Sequence, residues 1–348
     1  MKALLRSPAV FGLVALACGV AFVAFAEFRL SSFERTIIGL AGVNMILAVS
    51  LSFSNGLTGL FSLGHPAFMM VGGYVAAILT FPASRKSFML PDLPGWLAGV
   101  EWALFPATLM GGLAAALVAV VTGFPVLRLR GHYLAVATLG LIIIARVIIN
   151  NADGLTRGAL GLSGIPRLTD LWWVLGWLAV TFLVTWRLKH SSVGRALLAI
   201  RENELAAACI GVHRSANRLA AFVVGAFFAG VGGALWAHLV TNLTPGSFDI
   251  LLAFMLVVMV VIGGSGSLVG AALAAVMLSV VTELIRPIER ELGAYGLVQI
   301  TIAAILIAVL LLRPQGLFGS GEPVSRRPVE PIGRALKPAS SNRQEVSQ

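Results

Sequence analysis

The hydrophobic pattern of this chain is a series of ten apolar segments separated by short polar loops. A helix of about 20 apolar residues crosses the ~30 Å hydrocarbon core of a bilayer, so the pattern predicts membrane-spanning helices. We therefore expect an all-α polytopic membrane protein with about ten transmembrane helices. The predicted spans are residues 8–26, 36–53, 54–80, 102–124, 132–149, 171–186, 219–240, 248–262, 268–285 and 295–312.

Two of these segments leave alternatives open. Segment 8–26 ends in Ala24-Phe25-Ala26, which also suits a cleavable signal peptide. Its 19 apolar residues exceed the ~7–15 of a signal-peptide core, which favours a retained first span. Segment 54–80 is rich in glycine and contains Pro66, so it predicts a broken or re-entrant helix whose freed backbone groups face protein or a water-filled cavity.

The composition agrees with a membrane solvent. The 348 residues are 58% hydrophobic and only 11% charged, against about 25% charged in soluble domains. The net charge is +10, but the basic residues are not clustered with aromatic residues in any soluble module. We therefore expect no nucleic-acid partner. Cys18 and Cys209 offer neither a disulfide framework nor a cysteine metal motif.

The distribution of basic residues predicts the orientation. With ten spans both termini share one face, and that face holds sixteen Lys and Arg residues against eight on the other. Without the tail the difference is ten against eight. The positive-inside rule then places both termini in the cytoplasm. We expect a transmembrane permease domain over residues 1–319 and a disordered cytoplasmic tail over 320–348, which has no apolar periodicity.

No residue pattern indicates catalysis. The five histidines are scattered, and the chain has no HExxH, Gly-x-Ser-x-Gly or Walker motif. We therefore expect neither enzymatic activity, nor a metal site, nor a cofactor.

Three intramembrane features have both a functional and a structural interpretation. Arg146 is costly in a bilayer and could lie at the outer mouth of a pathway, or its side chain could reach outward to the interface. The glycine-serine breaks at 62–65 and 264–267 could line a translocation route, or could simply allow close helix packing. His65 has no nearby carboxylate, so it is expected to be a packed or water-facing polar residue rather than a proton relay.

The longest polar interval, residues 187–218, predicts a cytoplasmic loop with one helix. Gly194 and Gly211 bracket ALLAIRENELAAACI, which consists mostly of good helix formers. A polar helix of about a dozen residues is unstable alone, which favours a partner protein that binds it. The alternative is that the interval is a solvated connector between two spans.

This interval also carries a family resemblance. SSVGRALLAIRENELAAACIGV resembles the coupling segment of bacterial branched-chain amino acid ABC importer permeases of the LivM-like subfamily. Residues 204–211 are a loose version of the Glu-Ala-Ala…Gly loop of importer permeases. The resemblance covers residues 36–319, and further similar blocks in the family's order are GLTGLFSLGHPAFMMVGGYVAA, LRLRGHYLAVATL, GLSGIP, FFAGVGGALWA, VVIGGSGSLVGA and LLRPQGLFG.

The resemblance implies the permease of an ATP-driven importer in a bacterial inner membrane. Its partners would be a second homologous permease, two ATP-binding subunits and a periplasmic or lipid-anchored substrate-binding protein, within membrane lipid. The ATPase-coupling residues it implies are Gly194, Arg195, Ile200, Arg201, Glu202, Glu204, Ala207 and Gly211. The candidate residues of the translocation pathway are Ser62, Gly64, His65, Phe68, Thr138, Arg146, Gly264 and Gly266.

The chain departs from the family near the outer half of the pathway. Ile142 and Ile143 stand where members often carry Gly-Glu, and residues 155–160 replace the usual Leu-Thr-Gly-Gly-Pro-Asn. Branched-chain amino acids are the substrates the family implies, and urea, short amides or other amino acids remain alternatives. Two other classes are an ion-coupled secondary transporter, which would need intramembrane ionisable pairs, and a scaffold without transport activity.

Overall fold

The computed structural model describes residues 8–90, 92–129 and 131–319, and most of these residues are helical. The predicted tail, 320–348, lies outside the described residues. The helices are α1 (Pro8–Arg29), α2 (Ser32–Leu51), α3 (His65–Thr80), α4 (Ala83–Met89), α5 (Gly95–Ala98), α6 (Leu104–Val126), α7 (His132–Asn151), α8 (Asp153–Thr156), α9 (Leu171–Lys189), α10 (Ser192–Glu202), α11 (Glu204–Cys209), α12 (Arg214–Val240), α13 (Ile250–Gly263), α14 (Leu268–Leu292) and α15 (Leu297–Leu312).

Short irregular elements connect these helices. A π-helical turn, Ser52–Gly56, extends α2, and 3-10 turns cover Gly158–Leu160 and Pro245–Ser247. Two two-residue strands, β1 (Leu162–Ser163) and β2 (Asn242–Leu243), pair antiparallel.

The protein is a multi-pass integral membrane protein. Among the described residues, seven helices are long and apolar enough to cross a bilayer, namely α2 with its π turn, α6, α7, α9, α12, α13 with its preceding 3-10 turn, and α14. The apolar helices α3 and α15 have 16 residues each, and α1 has 22. Every predicted span therefore contains a helix, while the count of ten crossings stays a prediction. Within the third predicted span the helix is interrupted between Gly56 and His65, so the predicted break is present.

Glycines bring α3, α6 and α12 into backbone contact at the centre of the bundle. A Cβ on Gly72 would lie 2.3 Å from the Gly230 Cα, and one on Gly111 would lie 2.6 Å from the Gly72 carbonyl oxygen. A Cβ on Gly233 would lie 1.9 Å from the Met69 carbonyl oxygen. Only glycine fits these contacts, which replace the hydrophobic driving force that helices lack in lipid.

The loops gather at two ends of the bundle. One end carries α10, α11 and the turn between α13 and α14, and we call it the α10 end. The other carries β1 and β2, and we call it the β end. The Trp172 indole donates to Glu27, so α1 runs antiparallel to α9 and begins at the α10 end. The Leu317 amide donates to Ile262 there (2.8 Å), so both limits of the described chain lie at this end. That the α10 end faces the cytoplasm stays a prediction from the distribution of basic residues.

Gly72→Ala should destabilise the protein by about 1–3 kcal/mol, because the new methyl group collides with the Gly230 backbone. The matched control is Gly140→Ala in α7, where a Cβ meets no atom within 4 Å. Thermal unfolding of the purified protein, followed by tryptophan fluorescence, measures both. Equal midpoints for the two variants would contradict the close packing of α3 on α12.

Candidate functional site

The polar stretch 187–218 forms two short helices, α10 and α11, rather than the single helix predicted between Gly194 and Gly211. Asn203 separates them in an extended conformation (φ −155°, ψ 108°). Its side-chain oxygen accepts hydrogen bonds from the amides of Leu205 and Ala206, both at 3.0 Å. Asparagine is a weak helix former and a strong N-cap, so it starts a new helix here.

The buried face of α10 packs against the protein's own spans. Gly194, Leu197 and Ile200 recur every third residue and are buried. Leu197 belongs to a buried cluster that includes Phe53 and Leu57. A Cβ on Gly194 would lie 2.1 Å from the Lys189 carbonyl oxygen, so this contact requires glycine.

The predicted coupling residues therefore divide into three groups, of which the half-buried pair Arg201 and Glu204 is described below. Gly194, Ile200 and Ala207 are buried and hold the two helices in place. Arg195, Glu202 and Gly211 are exposed.

Arg201 ties α10 to the membrane domain. Its guanidinium donates to the Gly56 carbonyl at 2.7 Å, and to the Ser265 carbonyl and hydroxyl at 3.2 and 3.5 Å. Gly56 ends the π turn after α2, and Ser265 lies in the turn between α13 and α14. One side chain thus joins α10 to two breaks in the spans. Sequence reasoning missed Gly56 and Ser265 as partners, although the glycines around them signalled irregular backbone.

Glu204 forms the second attachment, between α11 and α12. Its carboxylate accepts from Arg214 at 2.7 Å and Arg218 at 2.9 Å, which links α11 to the first turns of α12. The outer surface of α11 is apolar, with Leu205 and Ile210 each 75% exposed. Sequence reasoning did not include these two residues, although two large apolar side chains in the most polar loop were a visible signal.

The predicted pathway residues Gly264 and Gly266 lie in the turn that Arg201 contacts. Gly264 adopts φ +107°, which favours glycine, and its Cβ would lie 2.6 Å from the Gly319 carbonyl oxygen. Lys189 donates to the Gly266 carbonyl. These glycines shape the α10 end of the bundle.

A second group of predicted pathway residues meets at the break before α3. The Ser62 carbonyl accepts from the Asn55 amide group at 2.7 Å, and the Ser62 hydroxyl accepts from the Gly64 amide at 3.4 Å. Thr138 of α7 accepts from the Leu63 amide at 2.9 Å. Side chains therefore satisfy backbone groups that the interrupted helix leaves free, as a membrane interior requires.

The first residues of α3 complete this group. His65 Nε2 lies 3.1 Å from the Ser50 hydroxyl, and both residues are buried. The Phe68 ring packs edge-on against Phe222 with centroids 5.3 Å apart. Ser62, Gly64, His65, Phe68 and Thr138 thus form one buried cluster, which we call the α2–α3 break cluster.

Arg146 lies toward the β end. Its guanidinium donates to the Phe248 carbonyl at 3.3 Å, in the segment before α13. The side chain therefore binds protein backbone at that end, and both interpretations of Arg146 stay predictions.

The described part of the chain contains no group of three or more His, Cys, Asp or Glu side chains suited to a metal ion.

Comparison with known proteins supplies the family context. The sequence model of the family described as "Branched-chain amino acid transport system / permease component" matches residues 35–312. The high-affinity branched-chain amino acid permease LivM of Salmonella typhimurium is 29% identical over 330 residues, covering 85% of this chain and 72% of the relative. LivH of Escherichia coli is 25% identical over 313 residues, covering 82% and 94%. No solved structure shows a significant match.

Asn203→Ala should loosen α11 without loosening α10, because it removes the N-cap of α11 only. Loss of an N-cap costs about 1 kcal/mol, so the α11 amides should exchange hydrogen roughly fivefold faster. Hydrogen–deuterium exchange with mass spectrometry measures this, and Asn203→Ser, which keeps a capping oxygen, is the control. Unchanged exchange in the alanine variant would show that the cap does not stabilise α11.

Proposed function

This chain belongs to the branched-chain amino acid transport permease family, and on that premise we propose that it is the membrane permease subunit of an ATP-driven importer of branched-chain or related small amino acids. The importer would act in a bacterial inner membrane. The observation that carries the coupling part of the proposal is the double attachment of Arg201 to Gly56 and Ser265.

The exposed surface of α10 and α11 is the proposed docking site for an ATP-binding subunit. Leu205 and Ile210 supply apolar contact area there, and Arg195 and Glu202 of α10 are exposed charges. Apolar contacts within a polar rim suit a protein–protein interface. The buried residues Gly194, Ile200 and Ala207 hold this surface rigidly on the membrane domain.

Arg201 is the proposed transmission element. A movement of α10 displaces the carbonyl groups of Gly56 and Ser265 together, because the guanidinium is bonded to both. Gly56 directly precedes the irregular segment that ends at the α2–α3 break cluster. That cluster is the proposed moving part of the pathway, since interrupted helices have fewer internal hydrogen bonds to break.

The proposed assembly contains this permease, a second homologous permease, two ATP-binding subunits and a periplasmic or lipid-anchored binding protein. The relatives of this chain include proteins named LivM and LivH, which supports a pair of different permeases. ATP hydrolysis would take place on the ATP-binding subunits, so this chain would not itself be an enzyme. The ion pairs of the described residues lie toward helix ends. An ion-coupled carrier would need ionisable pairs within the membrane, so these ion pairs do not support that alternative.

Arg201→Glu should reduce substrate-dependent ATPase activity and uptake at least about tenfold, because the new carboxylate faces carbonyl oxygens instead of donating to them. Membrane insertion should be unchanged. Arg128→Glu, at an exposed arginine on the same face, is the charge-matched control. The measurement uses the complete transporter in proteoliposomes. Full coupling in the Arg201 variant would rule out the proposed transmission role.

Glu204→Arg should give a similar loss of coupling, because a third cation would then face Arg214 and Arg218. Glu204→Gln, which can still accept a hydrogen bond, should retain most of the activity. The same ATPase and uptake assays distinguish the two variants. If the arginine variant couples normally, the attachment of α11 to α12 is not needed for transport.

Uptake of labelled leucine, isoleucine and valine by cells that contain or lack this chain tests the substrate class. We expect cells that contain the chain to take up these three amino acids in an ATP-dependent manner. Chain-dependent uptake of urea or short amides alone would assign the permease to another substrate.

A further inference from the structure

A polar cleft opens at the β end of the bundle. It has a volume of about 240 Å³ and lies between the end of α1, the start of α2 and the segment that leads into α9. Its polar lining comes from Glu27, Ser32, Arg35, Arg167, Thr169 and Asp170.

Several groups of the lining are hydrogen-bond donors. Arg167 donates to the Thr36 hydroxyl at 2.7 Å, and Arg35 donates to the Ser32 hydroxyl at 3.3 Å. Neither arginine forms an ion pair with a described residue. Two buried groups have no hydrogen-bond partner among the described residues, namely the Arg35 Nε and the Thr169 hydroxyl. Thr169 is only 2% exposed. Buried donors require acceptors, so these groups suit an anionic ligand with several oxygens.

The lining also contains two carboxylates. Asp170 occupies the N-cap position of α9, yet its side chain makes no capping hydrogen bond. Glu27 accepts from the Trp172 indole, which leaves its second oxygen available. By contrast, Glu34 is engaged in the capping box of α2 with Ser31. The cleft thus presents two guanidinium groups and two carboxylates that are not paired with each other, and this arrangement suits a zwitterion.

Aromatic side chains place the cleft at the level of the lipid head groups. Trp172 and Trp173 are 43% and 37% exposed, and Phe28 and Phe33 are 89% and 67% exposed. Exposed tryptophan at the end of a span is typical of the membrane–water interface. Along α1 an exposed apolar face, with Phe22 and Phe25, extends from the cleft into the span and suits acyl chains.

We propose that this cleft binds the head group of a zwitterionic phospholipid that carries a primary ammonium group. Arg35, Arg167 and Thr169 bind its phosphate, and Asp170 and Glu27 bind its ammonium group. The bound lipid would fasten α1 to α2 and α9. The proposal depends on the membrane location of the chain and not on the transported substrate.

Native mass spectrometry of the full-length chain, released from nanodiscs that contain equal amounts of phosphatidylethanolamine and phosphatidylglycerol, tests the proposal. The wild type should retain phosphatidylethanolamine selectively. The double variant Arg35→Gln/Arg167→Gln should lose this retention at least about tenfold. Arg290→Gln, at an exposed arginine of α14 at the same end, is the matched control and should bind as the wild type does.

Asp170→Asn separates recognition of the ammonium group from loss of folding. Its side chain makes no capping hydrogen bond, so the fold should be kept, while the preference for phosphatidylethanolamine over phosphatidylglycerol should disappear. Unchanged preference in this variant, or equal lipid retention in the double variant and the Arg290 control, would overturn the proposal.

A competition arm identifies the source of the zwitterion. Glycerophosphoethanolamine, the soluble head group, should displace the retained lipid, whereas free leucine should not. Displacement by leucine would assign the cleft to a free amino acid and overturn the lipid proposal.

Discussion

The structure depends on one constraint: backbone groups inside a membrane must find partners within the protein. Between Gly56 and His65 the chain is not helical, so several amides and carbonyls there lose their helical partners. Asn55, Ser62 and Thr138 supply replacements from inside the bundle. Arg201 supplies another from α10, outside the spans. The irregular segment is therefore stabilised from two directions, and only one of them belongs to the membrane interior.

This division connects the two candidate functional regions. The α2–α3 break cluster and the surface of α10 and α11 are remote in sequence, yet Arg201 bonds directly to the backbone that leads into the break. The same guanidinium reaches the turn between α13 and α14, where the segment after α15 also attaches through Leu317. A surface helix held in this way can act on the spans without being part of them.

The glycine-rich centre has the opposite character. Gly72, Gly111 and Gly230 bring α3, α6 and α12 into backbone contact, where even one methyl group would collide. Such contacts resist sliding, because side chains cannot yield between them. The bundle therefore combines a rigid centre with an irregular segment held by polar side chains, and movement is expected at the second.

Hydropathy, charge and motif order determined the membrane class, the position of each helix in the spans and the family, because these depend on local composition and spacing. Local pattern also located the break before His65, where glycine and proline stand close together. The division of the coupling stretch at Asn203 was missed, because helix formers on both sides concealed the capping role of one residue. The partners of Arg201 and the polar cleft between α1, α2 and α9 were decided only by the tertiary structure. Arg201 and Gly56 are 145 positions apart, and no local pattern encodes which backbone carbonyl a distant guanidinium will meet.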